Sequence, residues 1–113
     1  TMNPRIAALE KLVGGPRDGA LLRFSLGNEY LKAGALEQAA AAFQAAVEQD
    51  PNYSAAWKAL GNALSKTGRQ SQALAAYKSG ISIAQARGDI QAAKEMSVFA
   101  NRLAKNSTDG FQD

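Results

Sequence analysis

The sequence predicts an all-α protein: an α-solenoid of two helix–turn–helix repeats, with an N-terminal helix before them and a C-terminal capping helix after them. The main observation is internal repetition at an offset of 34 residues. The Leu-Gly pair at 26–27 recurs at 60–61, and Phe43 recurs as Tyr77. This period is typical of stacked helical hairpins. Other positions that recur at the same offset are Asn28 and Asn62, Lys32 and Lys66, Gly34 and Gly68, Gln38 and Gln72, and Ala39 and Ala73.

The N-terminal helix is expected to span residues 3–13. Asn3 supplies an N-cap side chain, and Pro4 occupies the first helical position, where its missing N–H costs nothing. The Gly-Gly-Pro sequence at 14–16 then ends the helix. The first element is therefore a short helix that a turn separates from the repeats.

The first repeat is expected at residues 20–53. Asp18 has the side chain of an N-cap for its leading helix. Gly34 breaks that helix, and the returning helix continues to about residue 49. Pro51 then ends the hairpin, because proline cannot continue a helix and restricts the residue before it.

The second repeat is expected at 54–87, with its turn at Gly68 and its end at Gly88. A last amphipathic helix follows at 89–105 and acts as a cap. One hairpin cannot cover its own apolar face, so the first hairpin packs on the second and the second needs a cap. The polar residues 106–113 are predicted to fray. The whole chain is thus read as a single domain of 113 residues.

The repeated small and large residues indicate how the helices pack. Gly27 and Gly61 are small where two helices must approach closely, while Phe43 and Tyr77 fill the space between them. Trp57 belongs to the same pattern and is assigned to the core rather than to a binding surface.

Composition argues against catalysis and against a cofactor or metal. The chain has no His and no Cys, so it lacks the commonest general base and metal ligand and has no thiolate. No apolar run approaches the roughly 20 residues that cross a bilayer, and no signal peptide is recognised at the N-terminus. We therefore expect a non-enzymatic protein with no membrane insertion and, by default, a cytoplasmic location.

The net charge of +3 is unevenly distributed along the chain. Residues 18–50 carry five acidic and two basic side chains, whereas residues 51–88 carry five basic side chains and no acidic one. Such a polarised surface favours an acidic partner at the second hairpin, or the acidic face of another copy. A solvated helix surface explains the same pattern, and both interpretations stay open.

The spaced positions of the two hairpins resemble a known family. Residues 23–30 read Arg-x-x-Leu-Gly-x-x-Tyr and residues 57–64 read Trp-x-x-Leu-Gly-x-x-Leu. Each is followed by Ala-x-x-x-aromatic, at 39–43 and at 73–77. This pattern resembles the tetratricopeptide repeat, in a small stand-alone protein of bacterial type.

The resemblance implies a right-handed superhelix whose leading helices line a concave groove for a peptide or helix of a partner protein. The positions that it places in this groove are Phe24, Asn28, Leu31, Lys32, Lys58, Asn62, Lys66 and Met96. Family members that clamp a C-terminal carboxylate use a Lys and an Asn four residues apart, as Lys58 and Asn62 are. In those members, the helices that follow supply further Asn, Lys and Arg side chains to the clamp. Asp89 and Ala93 stand at the corresponding positions of the next helix here and do not match them.

Several functional alternatives remain at this point. A structural role through self-association is the second hypothesis, because the uncovered end of a short solenoid could pair with another copy as a homodimer. Nucleic acid is not expected, since Trp57 and Tyr77 are assigned to packing and leave no stacking platform. The sequence also leaves open whether the N-terminal helix covers the groove or the outer face of the first hairpin.

Overall fold

The computed structural model describes residues 3–112, and side chains from residue 3 to residue 106. Within this range it contains six α-helices and no β-strand, so the predicted all-α solenoid is confirmed. None of the described helices is both long and apolar enough to cross a membrane. The helices are α1 (Pro4–Glu10), α2 (Ala20–Lys32), α3 (Leu36–Gln49), α4 (Ser54–Lys66), α5 (Gln70–Ala86) and α6 (Ile90–Gln112).

Helix α1 begins as predicted and ends before residue 13. The Asn3 side chain accepts hydrogen bonds from the backbone N–H groups of Arg5 (2.9 Å) and Ile6 (3.3 Å), which caps the helix. After Glu10 the backbone bonds shorten to a three-residue spacing, as in Val13 N–H to Glu10 O (3.2 Å). The last predicted turn is therefore a tighter, non-α turn.

The turns inside the two hairpins are built alike. Gly34 and Gly68 have φ values of 77° and 81°, a region that residues with a side chain rarely adopt. Across the first turn the N–H of Ala35 donates to the carbonyl of Tyr30 (2.9 Å), and the equivalent bond around Gly68 has the same length. Each leading helix is thereby closed and the chain is sent back antiparallel.

The helices form two layers. Each packs on the next along the chain, and α4 also contacts α6. Helices α2, α4 and α6 therefore share one side, while α3 and α5 form the other. The Cα atoms span 46 × 35 × 18 Å, and the smallest dimension fits two layers of helices.

Asp18 joins the turn after α1 to α2, so its prediction as the N-cap of α2 is wrong. Its carboxylate accepts two bonds from the Arg23 guanidinium and one from the Gly14 N–H, each 2.8 Å long. These donors, Arg23 first, hold the pKa of Asp18 below its ordinary value. The N-cap of α2 is Gly19. Arg23 stands at the position that Trp57 occupies in the second repeat, and it holds the N-terminal turn through its bonds to Asp18.

Helix α6 continues beyond the predicted end at residue 105 and reaches Gln112. Its side chains from residue 107 onward, and Asp113, lie outside the described residues, so the predicted fraying of 106–113 stays a prediction. Ile90, the first residue of this helix, is 52% exposed.

The predicted close approach between the helices of each hairpin is present. A Cβ placed on Gly27 would lie 2.4 Å from a ring carbon of Phe43, and one on Gly61 would lie 2.5 Å from the ring of Tyr77. Both rings are buried. The missing side chain is therefore a packing requirement of both hairpins.

Substituting Gly27→Ala is expected to lower the free energy of unfolding by about 1–2 kcal/mol, although alanine has the higher helix propensity. The added methyl group would clash with the Phe43 ring, which has no solvent side to move toward. Urea unfolding of four proteins measures this: the wild type, Gly27→Ala, Phe43→Leu and the double variant. The smaller leucine should relieve the clash, so the double variant should lose less than the sum of the single losses. Strict additivity would contradict the contact.

Candidate functional site

Helices α2, α4 and α6 form one layer, and the predicted groove positions of α4 lie toward α6: Lys58 pairs with Glu95, and Asn62 borders a cavity with Arg102. Asn28, Leu31 and Asn62 are half-buried, and Lys66 is exposed. At the N-terminal end of this face a cavity of about 430 Å³ is bordered by Leu21, which is 70% exposed, and by residues 52–55. The face thus combines accessible amide, cationic and aliphatic side chains.

Phe24 packs against other aromatic side chains at this face, so it is not an isolated binding anchor. Its ring lies 4.9 Å from the ring centroid of Tyr53 and 5.8 Å from that of Phe43. The three aromatic side chains link α2, α3 and the start of α4. Trp57 is packed partly against the core and donates its indole N–H to the carbonyl of Pro51 (2.8 Å).

Met96 does not line the groove, and its prediction as a groove residue is wrong. Its side chain has 0% exposure and lies against Gly80 of α5. A Cβ on Gly80 would be 2.5 Å from the Met96 sulfur and 2.7 Å from the Cβ of Trp57. The residue fills the notch left by this glycine, which holds α6 on the second hairpin.

Lys58 is engaged within the chain. Its ammonium group lies 2.7 Å from the Glu95 carboxylate of α6, and Gln91 donates to the same carboxylate at 3.3 Å. These donors, Lys58 first, lower the pKa of Glu95 below its ordinary value. The Lys58 side chain is 39% exposed, so a carboxylate of a ligand would compete with Glu95 for its ammonium group.

The other predicted polar positions differ in their partners. Lys32 pairs weakly with Glu29 at 3.5 Å and its side chain is 69% exposed. Within residues 3–106, the side chains of Asn28, Asn62 and Lys66 make no hydrogen bond or ion pair. The amides of Asn28 and Asn62 therefore keep their donors and acceptors available on adjacent leading helices.

A second cavity lies between the C-terminal half of α4, α5 and α6, and sequence reasoning missed it. Its volume is about 320 Å³, and we call it the Lys66–Arg102 cleft. The residues that matter for its chemistry are Asn62, Ser65, Lys66, Tyr77, Phe99 and Arg102. The spacing of Phe99 and Arg102, one helical turn apart, was the available signal, but the register of α6 could not be oriented from sequence.

Helix α1 leaves the groove face uncovered. The Tyr30 hydroxyl donates to the Glu10 carboxylate, and Glu10, Val13, Arg23 and Tyr30 border one cavity together with α3. Burial and this carboxylate raise the pKa of Tyr30 to about 12. At about 100° per residue, Asn28 points roughly 140–160° away from Arg23 and Tyr30. The N-terminal helix therefore covers the outer face of the first hairpin.

Comparison with known proteins decides the family. The family model of the tetratricopeptide repeat matches residues 30–96, which is more than half of the chain. The chain belongs to the tetratricopeptide repeat family. A TPR repeat-containing protein of Pseudomonas aeruginosa is 48% identical over 103 residues, covering 91% of this chain and 98% of that relative.

Solved structures of the same kind agree. The solution structure of a Bordetella parapertussis protein is 40% identical with a TM-score of 0.76, covering 93% of this chain and 91% of that chain. The crystal structure of a Salinibacter ruber tetratricopeptide repeat domain protein is 26% identical with a TM-score of 0.72, covering 78% of this chain and 98% of that chain. The predicted resemblance to a small bacterial tetratricopeptide repeat protein is confirmed.

Membership gives a general class of function. The tetratricopeptide repeat is in general a protein–protein interaction module, and its members are typically non-enzymatic scaffolds. Among the described residues no three His, Cys, Asp or Glu side chains are grouped as a metal site would require.

Proposed function

We propose that this protein binds a segment of a partner protein along the face formed by α2, α4 and α6. Asn28 and Asn62 would hydrogen-bond to the backbone of that segment, and Phe24 and Leu31 would contact its apolar side chains. The observation that carries the proposal is the pair of half-buried amides, equivalent by repeat, neither of which has a partner in the described part of the chain. Their unused donors and acceptors suit an extended or helical backbone.

The charge distribution and the Lys58–Glu95 pair bear on which partner segment this face would bind. The excess of basic side chains in the second repeat favours an acidic partner segment. The homodimer, the absence of a nucleic-acid partner and the cytoplasmic location stay predictions. The engagement of Lys58 by Glu95 argues that Lys58 and Asn62 do not act together as a carboxylate clamp.

Substituting Asn28→Ala and Asn62→Ala together is expected to weaken partner binding roughly tenfold, because two hydrogen bonds of about 0.5–1.5 kcal/mol each are lost. Immobilised wild-type and variant proteins would be incubated with lysate of the organism that encodes the chain, and retained proteins quantified by mass spectrometry. Circular dichroism would confirm that both remain helical.

The matched control is the double variant Gln38→Ala and Gln85→Ala, which removes two exposed amides from α3 and α5 on the opposite layer. A partner retained by the wild type and this control, but depleted in the Asn28 and Asn62 variant, supports the groove. Equal retention by all three proteins would place the binding surface elsewhere.

A further inference from the structure

We propose that the Lys66–Arg102 cleft binds a carboxylate group together with the apolar side chain next to it on the partner segment. The inference rests on the proposed function, because Asn62, Ser65 and Lys66 belong to both the groove face and the cleft. It specifies the chemical group that the partner would present, and it assigns the recognition of that anion to Lys66 and Arg102 rather than to Lys58.

The first step is the charge of the cleft. Lys66 and Arg102 both border it, and among residues 3–106 no acidic side chain borders it and neither cation has an ion-pair partner. The Arg102 guanidinium lies 6.0 Å from the ring centroid of Phe99, which restricts its orientation. An ammonium and a guanidinium at one cavity, with no counter-ion among residues 3–106, are groups that recognise a carboxylate.

The second step is a polar group on a buried residue that borders the cleft. Tyr77 has 3% exposure and borders the cleft, yet its hydroxyl makes no hydrogen bond to any described residue. No fully buried side-chain nitrogen or oxygen lacks a partner in the described structure, so the hydroxyl must lie on the small accessible part of the residue. Burial raises the pKa of Tyr77, and at neutral pH the hydroxyl is a hydrogen-bond donor.

The third step is the apolar surface beside these donors. The rings of Tyr77 and Phe99 stack with centroids 5.6 Å apart at an angle of 29°, and Leu103 continues the surface. Aromatic and aliphatic walls with a few convergent polar groups are typical of binding cavities. The volume of about 320 Å³ accommodates one carboxylate and one neighbouring side chain.

The position of Glu95 explains why the carboxylate would bind here. Glu95 already pairs with Lys58 on the same face, whereas no described acidic side chain pairs with Lys66 or Arg102. A ligand carboxylate at the Lys66–Arg102 cleft would therefore meet two basic side chains without displacing a described acidic one.

The carboxylate could be an Asp or Glu side chain or the C-terminus of the partner chain. Three synthetic peptides separate these sources: Ser-Gly-Ser-Leu-Phe-Glu with an amidated end, Ser-Gly-Ser-Leu-Phe-Gln with a free end, and the latter with an amidated end. Each is titrated into the full chain labelled with ¹⁵N, and backbone amide shifts are followed. We expect at least one acidic peptide to shift residues 62–70 and 99–106 saturably and to bind about tenfold more tightly than the neutral peptide.

Variants that replace a basic side chain by glutamine test whether Lys66 and Arg102 bind the carboxylate. Lys66→Gln with Arg102→Gln should weaken the acidic peptide about tenfold and leave the neutral peptide unchanged. The control, Lys78→Gln with Lys94→Gln, removes the same two charges from exposed side chains outside the cleft and should change affinity less than about twofold. Tyr77→Phe keeps the ring and removes the hydroxyl, so it should weaken the acidic peptide alone.

The outcomes separate this inference from the proposed function. Equal binding of neutral and acidic peptides, equal losses in both double variants, or no saturable shift at residues 62–70 and 99–106 would overturn the inference. Shifts around Asn28 that the Lys66 and Arg102 variant leaves unchanged would support the groove without the cleft. Shifts confined to the cleft, together with unchanged partner capture by the Asn28 and Asn62 variant, would support the cleft without the groove.

Discussion

Replacing Phe43 by alanine is expected to lower the free energy of unfolding by about 3–5 kcal/mol. The ring has 0% exposure, lies against the backbone of Gly27 and contacts Phe24, so its removal leaves a cavity between α2 and α3. Native domains are stable by only about 5–15 kcal/mol. The loss is thus a large fraction of the whole, and the midpoint of urea unfolding, followed by circular dichroism, should fall accordingly.

The comparison variant is Leu21→Ala, which shortens a side chain that is 70% exposed on the same helix pair's surface. It should change the free energy of unfolding by less than about 0.5 kcal/mol. If Phe43→Ala leaves too little folded protein to measure, Phe43→Leu provides a smaller loss in the same direction. A Phe43 variant as stable as the Leu21 variant would contradict the packing between Gly27 and this ring.

Replacing Met96 by alanine is expected to cost about 2–5 kcal/mol of stability, the range for a buried methionine. The sulfur lies in the notch above Gly80 and beside Trp57, and the side chain has 0% exposure. Shortening it removes the contact that holds α6 on α5. Hydrogen exchange should therefore quicken in α6 before it quickens in α2 and α3, because α6 packs mainly on α5 and α4, at the Met96 contact.

Val98→Ala is the matched control for this prediction. Val98 lies two residues away on the same helix but is 53% exposed, and its truncation should cost less than about 0.5 kcal/mol. Had Met96 been a groove residue, its substitution would weaken partner binding while stability stayed constant. Unchanged unfolding of Met96→Ala would therefore restore the sequence-based assignment.

The helical hairpins could be read from the sequence because their determinants are local or repeat. Gly34 and Gly68 adopt a backbone conformation that favours glycine, and Asn3 with Pro4 begins α1 through contacts within one turn. The pairing of Gly27 with Phe43 was predictable because the same small and large residues recur in the second hairpin.

Sequence reasoning assigned side chains to the face formed by α2, α4 and α6 only within the two hairpins, where the 34-residue repeat continues. Asn28 and Asn62 lie on the shared side of α2 and α4, since both hairpins follow one pattern. Met96 was misassigned because α6 has no returning helix after it in the described structure, and the register of a full repeat was extended to a helix that packs as a cap.

What the sequence alone determined, then, is the family, the number of hairpins, their turns and the small-to-large contacts within each, because these depend on neighbouring residues or on repetition. Only the tertiary structure decided that Lys58 meets Glu95, that Arg23 anchors Asp18, and that Tyr77 and Arg102 border one cleft. The pair of Lys58 with Glu95 and the cleft depend on the rotation and crossing angle of α6 on α5. At this helix pair the Met96 side chain fits over Gly80, a packing contact that no local sequence pattern encodes.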